Sequence, residues 1–73
     1  MRYVEVPEDV DVAGIRSKLG LSQAEFSRRY ALSPRSLQEW EQGRRRPESA
    51  VRAYLTVIER NPEAVEKALT HKS

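Results

Sequence analysis

The sequence predicts an all-α domain of about five short helices that follows a short N-terminal arm. Helix-capping residues recur at short intervals, and Gly20 and Gly43 stand where two of the helices would end. Apolar residues at helical spacing continue the pattern through the second half of the chain. Only residues 2–6, with the letters RYVEV, alternate like a strand, and Pro7 ends that run. We therefore expect residues 1–10 to be a strand-like or disordered arm and residues 11–73 to fold as one domain.

Three helix starts share one pattern of capping residues. Asp11, Ser22 and Ser33 each place a side-chain oxygen where it can accept a hydrogen bond from the first turn of the following helix. Glu25, three residues after Ser22, completes a capping box. Pro34 occupies the first position of the third helix, where its missing N–H is not needed. The pattern predicts three short helices in succession.

Two further helices complete the predicted domain. The fourth starts near Glu48–Ala50, and the run Asn61-Pro62-Glu63 starts a short fifth helix. The apolar residues of the fourth helix recur at i, i+3, i+4 and i+7, and they are Val51, Tyr54, Leu55 and Ile58. A second apolar face on these two helices predicts a two-fold dimer, formed through Ala50, Ala53, Val57, Val65, Ala68 and Leu69. The alternative is that the fifth helix simply closes the core of a monomer.

Charge is distributed unevenly, although the net charge is only +2. Residues 1–11 carry one basic and four acidic groups, whereas residues 12–60 carry ten basic and five acidic groups. A basic body behind an acidic arm favours a polyanionic partner. The chain has no apolar run long enough for a signal peptide or a membrane span, so we expect a cytoplasmic protein without membrane association.

Residue types that carry catalysis are scarce in this chain. It contains no cysteine, and its one histidine, His71, lies near the C-terminus. There is no glycine-rich phosphate loop and no cluster with metal-ligand spacing. Glu39 and Glu41 are two residues apart, so on a helix they cannot face each other as an acid and a base. We expect no enzymatic activity, no metal and no cofactor.

The second and third helices match the geometry of a helix-turn-helix. A helix over Gln23–Tyr30 is followed by a tight turn at Ala31 and Leu32 and by a helix of similar length. Apolar side chains on the facing sides predict that the two helices pack together, through Phe26, Tyr30, Leu37 and Trp40.

Burial of Leu37 and Trp40 turns the rest of the third helix outwards. Its first turn presents Arg35 and Ser36, and Glu39 follows one turn later. An arginine can bind N7 and O6 of guanine, and a glutamate can accept from the amino group of cytosine. We expect Arg35 to be the main base contact and Glu39 to be a second one or to orient Arg35. The alternative is that these two residues form a surface salt bridge.

The arginine triplet Arg44–Arg46 directly follows this helix and precedes Pro47. A loop at the end of a recognition helix lies beside the phosphates that flank the groove, so we expect the triplet to bind phosphates. Gln23 opens the preceding helix, whose N-terminus suits phosphate, and Arg28, or alternatively Arg29, is a further candidate. The alternatives are a solvated basic loop and, for Gln23, a solvated helix start.

The stretch LGLSQAEFSRRYALSPRSLQEWEQGRRRP resembles the Xre/Cro helix-turn-helix domain. Residues 12–69, with the tail VIERNPEAV, are similar to HigA-type antitoxins and to the C-terminal domain of MqsA-like antitoxins. The resemblance implies a five-helix, lambda-repressor-like fold. It also implies phosphate contacts at Gln23, Gln42 and Arg44–Arg46. The base contacts that it implies are Pro34, Arg35, Ser36 and Glu39.

Such proteins are typically dimeric repressors, and the resemblance implies a corresponding function for this chain. It implies binding to a palindromic double-stranded operator and the antitoxin role in a type II toxin–antitoxin pair with a RelE/HigB-like toxin. The alternatives are a protein-interaction module that neutralises a toxin through residues 2–11 and an Xre-type regulator unrelated to toxins. Two positions depart from the family pattern. Ala31 stands where glycine is usual, so a positive φ there would cost energy, and Ser27 replaces a small alanine.

Overall fold

The computed structural model describes residues 5–70, and this part of the chain contains five helices and no strand. The helices are α1 (Val12–Lys18), α2 (Gln23–Arg29), α3 (Pro34–Glu41), α4 (Ser49–Arg60) and α5 (Pro62–Leu69). The all-α prediction is confirmed. Residues 5–11 have no regular structure, and the remainder of the predicted strand-like run lies outside the described residues. None of the five helices is long and apolar enough to cross a membrane.

Four of these helices begin at a capping side chain, and three of the four caps were predicted. The Asp11 carboxylate accepts from the N–H of Gly14 at 3.0 Å, and the Ser22 hydroxyl accepts from that of Glu25 at 3.1 Å. Ser33 caps α3 and Asn61 caps α5 in the same way, each at 3.3 Å. Only α4 begins without a side-chain cap. The local signals in the sequence therefore set where these helices start.

Both departures from the family pattern lie near the junction of α2 and α3, with Ser27 inside α2 and Ala31 in the turn that follows it. Ala31 has φ +55°, so the turn takes the left-handed conformation at a position without glycine. Ser27 is buried, and its hydroxyl donates to the carbonyl of Leu32. The backbone N–H of Leu32 returns a hydrogen bond to the carbonyl of Ser27 at 2.9 Å. The serine that replaces alanine therefore closes the turn.

The core lies between the helix-turn-helix and the C-terminal pair of helices. Phe26 and Tyr30 pack with their ring centroids 5.2 Å apart, and Leu37 is completely buried. Trp40 is partly buried against the same cluster, as is the apolar residue just before the N-cap of each of the first three helices. Full burial stabilises the fold by about 1.5–3 kcal/mol for each large apolar side chain. The core residues are Val12, Ile15, Phe26, Tyr30, Leu37, Leu55, Ile58 and Val65.

Tyr30 joins the end of α2 to both C-terminal helices. Its hydroxyl donates to the Glu66 carboxylate at 2.6 Å, and its backbone carbonyl accepts from the Tyr54 hydroxyl at 2.7 Å. Burial, reinforced by the hydrogen bond to Glu66, raises the pKa of the Tyr30 phenol to about 12. The phenol therefore remains a protonated donor throughout the physiological range of pH.

The second apolar face of α4 and α5 is only partly available to a partner. Val57 is 50% exposed and Leu69 is 48% exposed, but Val65 is only 8% exposed and belongs to the core of the single chain. This burial corrects the assignment of Val65 to a dimer surface. Val65 belongs to the same core cluster as Leu55 and Ile58 of α4, and α4 and α5 pack directly against each other.

Candidate nucleic-acid interface

The outer face of α3 carries the four predicted base contacts. The side chain of Arg35 is 89% exposed, whereas Leu37, two residues later, is completely buried. Pro34 is also exposed, and Ser36 is half-buried beside it. The Ser33 cap and the burial of Leu37 fix the rotation of the helix, and this rotation sends Arg35 into solvent.

Glu39 lies between two arginines on this outer face. Its carboxylate is 4.0 Å from Nε of Arg35 and 3.2 Å from Nη1 of Arg45. The other terminal nitrogen of Arg45, Nη2, donates to the Ser36 hydroxyl at 3.3 Å. The ion pair with Arg35 that we considered as an alternative is therefore present at long range, and it leaves Arg35 exposed.

The chain reverses direction at the end of α3. Gly43 has φ +74°, and its N–H donates to the carbonyl of Trp40 at 3.2 Å. The N–H of Arg44 then donates to the carbonyl of Glu39 at 2.9 Å. This left-handed glycine cap folds the arginine triplet back beside the helix that it follows.

The three consecutive arginines have three different environments. Arg44 is exposed, and within residues 5–70 its side chain has no hydrogen-bond or ion-pair partner. The guanidinium of Arg45 contacts α3, where it donates to the Ser36 hydroxyl. Arg46 donates to the backbone carbonyl of Glu8 and to its carboxylate, the latter at 3.3 Å, and is 4.0 Å from the Asp9 carboxylate. These carboxylates are 91% and 93% exposed, so their attraction for Arg46 is screened by water.

Arg52 holds the arm against the arginine loop, a role that we did not predict from the sequence. Its Nε donates to the carbonyl of Pro7 and its Nη1 to the carbonyl of Pro47, both at 2.8 Å. A capping or motif pattern could not have found this residue, because one of its two partners lies 45 positions away in the chain.

A second polar cluster supports the interface from inside. The guanidinium of Arg16 binds both carboxylate oxygens of Glu41, at 2.8 and 2.9 Å, and Nη1 donates to the carbonyl of Leu21 at 3.0 Å. Gln23 donates to the same carboxylate at 2.9 Å. The Glu41 side chain is 8% exposed, and the hydrogen bonds from Arg16 hold its pKa below the usual range. The cluster joins α1, α2 and α3.

The predicted phosphate contacts outside the arginine loop differ in their exposure and in their hydrogen bonds. The side-chain amide of Gln23 already binds Glu41 and stands at the N-terminus of α2. Arg28 and Gln42 are exposed, and Gln42 is the C-terminal cap of α3. Together with the arginine loop, these side chains lie at the ends of the two helices of the motif.

A bihelical motif with a solvent-facing second helix and an arginine loop at its end is the architecture of a DNA-binding protein. The helix-turn-helix family model matches residues 13–51, which are more than half of the chain. The chain therefore belongs to the helix-turn-helix family, in its Xre branch. The family and the fold are those of DNA-binding regulators, which are not enzymes.

The proteins that are similar to this chain include one curated protein and one solved structure. Antitoxin HigA-2 of Vibrio cholerae serotype O1 is 33% identical over 55 residues, which are 75% of this chain and 53% of the relative. The chain thus spans about half the length of that curated relative. The crystal structure of an HTH XRE-family like protein from Agrobacterium tumefaciens has a TM-score of 0.79 and 44% identity. That match covers 81% of this chain and 95% of the other.

Proposed function

We propose that the protein is a sequence-specific repressor that places α3 in the major groove of double-stranded DNA. The observation that carries this proposal is the division of α3 into two faces. Arg35 is 89% exposed on its first turn, and Leu37 is completely buried on the opposite side. A recognition helix reads bases mainly with its N-terminal residues, and this is where Arg35 lies.

Each predicted contact residue has a proposed role at the duplex. Arg35 binds a guanine, Pro34 and Ser36 make shorter contacts beside it, and Glu39 accepts from a cytosine or orients its neighbours. The proposed phosphate contacts are Gln23, Arg28, Gln42, Arg44, Arg45 and Arg46. If about four phosphates are neutralised by each subunit, the slope of log K against log salt is about −3.6 per subunit.

A binding titration on the strongest duplex selected from a random-sequence library tests this proposal. We expect tight, salt-dependent binding by the wild type and a loss of about tenfold for Arg35→Ala on the selected site. Glu63→Gln is a suitable control, because Glu63 is exposed on α5 and away from α3. Absence of salt-sensitive binding by the wild type would refute the proposal.

We further propose that the repressor is a homodimer that binds a palindromic operator. The support is the exposure of Val57 on α4 and of Leu69 on α5, together with exposed Ala50 and Ala68 and half-buried Ala53 on the same two helices. Pairing through these helices would let two copies of α3 enter adjacent major grooves about 34 Å apart. Sedimentation equilibrium of Val57→Asp against Val57→Ala checks this arrangement, and equal dimerisation by both variants would exclude it.

The antitoxin role is a proposal that rests on the likeness to HigA-2 over about half the length of that protein. It predicts a RelE/HigB-like toxin as the partner and repression of the operon that encodes both proteins. Co-expression with the product of the adjacent gene tests it. We expect co-expression to rescue growth and the two proteins to co-purify as a complex. If the product of the adjacent gene is not toxic, the antitoxin role is wrong and the protein is a DNA-binding regulator of the same family, unrelated to toxins.

A second candidate function is partner binding through residues 2–11 as the main activity. The observation that favours it is the exposure of the Glu8 and Asp9 carboxylates, 91% and 93%. Replacing them with Gln and Asn would then abolish co-purification with a basic partner without lowering DNA affinity, because the two carboxylates pair with Arg46. Asp11 is kept in this variant, because it caps α1. Both functions are compatible with the expected cytoplasmic location.

A further inference from the structure

Arg45 is the one member of the arginine triplet whose head group rests on α3. Its guanidinium donates to the Ser36 hydroxyl at 3.3 Å and to the Glu39 carboxylate at 3.2 Å. Ser36 belongs to the first turn of α3, although Arg45 itself follows the helix. The left-handed Gly43 cap makes this return possible, because it turns the chain back along the outer face.

We propose that Arg45 is a specificity-determining residue that enters the groove with α3, and that Glu39 positions it there. This inference rests on the proposed DNA-binding function and changes the role of Arg45 from a phosphate contact to a base contact. A recognition helix contacts bases mainly through the residues of its N-terminal turn. The guanidinium of Arg45 lies at that turn, beside Ser36.

The electrostatic setting of Arg45 favours base contact over phosphate contact. Glu39 compensates its charge, so Arg45 adds less to the attraction of the loop for phosphate than exposed Arg44 does. The hydrogen bonds to Ser36 and Glu39 engage part of the guanidinium fork and leave its other N–H groups free for a planar partner such as guanine. Holding the side chain in place also reduces the rotamer entropy that binding must remove.

Arg44 provides a matched control for a test of this inference. Arg44→Ala and Arg45→Ala remove the same charge from adjacent positions, and both side chains are exposed. Each variant is titrated against the selected duplex and against an unrelated duplex at several salt concentrations. We expect Arg45→Ala to reduce the ratio of specific to non-specific affinity by about tenfold. We expect Arg44→Ala to weaken both affinities alike and to make the salt slope shallower by about 0.9.

The outcomes separate this inference from the proposed function. If the wild type does not prefer its selected duplex, the proposed function fails. If the wild type prefers it but Arg45→Ala behaves like Arg44→Ala, Arg45 is a phosphate contact and the inference is wrong. A thermal melt of each variant checks that the fold is retained, which is expected because the Arg45 side chain is 56% exposed.

Glu39→Gln tests the positioning role, because loss of the negative charge would by itself strengthen DNA binding. Removing a carboxylate from the interface raises affinity for any duplex, but loss of the positioning contact lowers the ratio of specific to non-specific affinity. In the Arg45→Ala background, Glu39→Gln should change that ratio less than it does in the wild type. Equal effects in both backgrounds would show that Glu39 acts independently of Arg45, and the positioning role would be overturned.

Discussion

Glu39 and Glu41 lie two residues apart on α3 but face different surroundings. Glu41 is 8% exposed and binds Arg16 through two hydrogen bonds, so it fastens α3 to α1. Glu39 is 29% exposed and is shared between Arg35 and Arg45 on the outer face. The same residue type therefore supports the fold on one side of the helix and, on the other, pairs with two arginines of the proposed DNA interface. What differs is the access of water to the carboxylate and the number of donors that it holds.

The largest predicted effect comes from emptying the inner face. Leu37→Ala should lower the free energy of unfolding by about 4 kcal/mol, because the side chain is completely buried and its loss leaves a cavity. Urea unfolding measures this effect. Arg35→Ala, on the outer face, is the matched control and should change stability by less than about 0.5 kcal/mol. Similar losses in the two variants would remove the distinction between the faces.

The inner glutamate gives the second prediction. Glu41→Gln should destabilise the fold by about 2 kcal/mol, since it leaves the Arg16 guanidinium, itself 21% exposed, without its ionic partner. The folded-state pKa of Glu41 is lowered, so its stabilisation is present above the unfolded pKa of about 4.3 and is lost as the pH falls through the folded value. Urea midpoints between neutral and acidic pH should therefore decline less in Glu41→Gln than in the wild type.

The turn that sets the angle between α2 and α3 gives a smaller effect of opposite sign. Ala31→Gly should stabilise the protein by about 0.5 kcal/mol, because relief of the left-handed conformation outweighs the extra freedom that glycine gives the unfolded chain. Thermal unfolding measures the shift. Ala24→Gly, within α2, is the control and should destabilise the fold. A loss of stability in Ala31→Gly would mean that the turn is not strained.

The smallest effect on stability is expected at the outer glutamate. Glu39→Gln should change the free energy of unfolding by less than about 0.5 kcal/mol, since its ion pairs are exposed on the arginine side. Comparing its urea midpoint with that of Glu41→Gln at neutral pH sharpens the contrast. A loss as large as that of Glu41→Gln would make Glu39 a structural residue and would weaken its role in recognition.

The sequence was most informative where the physical cause is local. Ser22 and Ser33 start their helices because a cap needs only the next three residues, and the inward position of Leu37 follows from helical spacing. The pair formed by Arg16 and Glu41 could not be predicted, because 25 positions separate its members. The two residues meet only after α1 and α3 have packed.

The same limit explains the two residues whose surroundings differ from those that we expected. Val65 has the spacing of either an inner or an outer apolar residue, and only the packing of α5 on α4 decides between them. Arg45 belongs to a run of identical side chains, so composition alone gives all three the same role. The backbone conformation at Gly43 decides which of them returns to α3.

The hydrogen bonds of Tyr30 give the domain a stiff connection between its two ends. One tyrosine ties the last turn of α2 to α5 through its phenol and to α4 through its backbone carbonyl. If the C-terminal helices tilted, the helix-turn-helix would therefore move with them as one rigid unit. In the proposed homodimer, the distance between the two copies of α3 would then be set by how the C-terminal helices of the subunits pair.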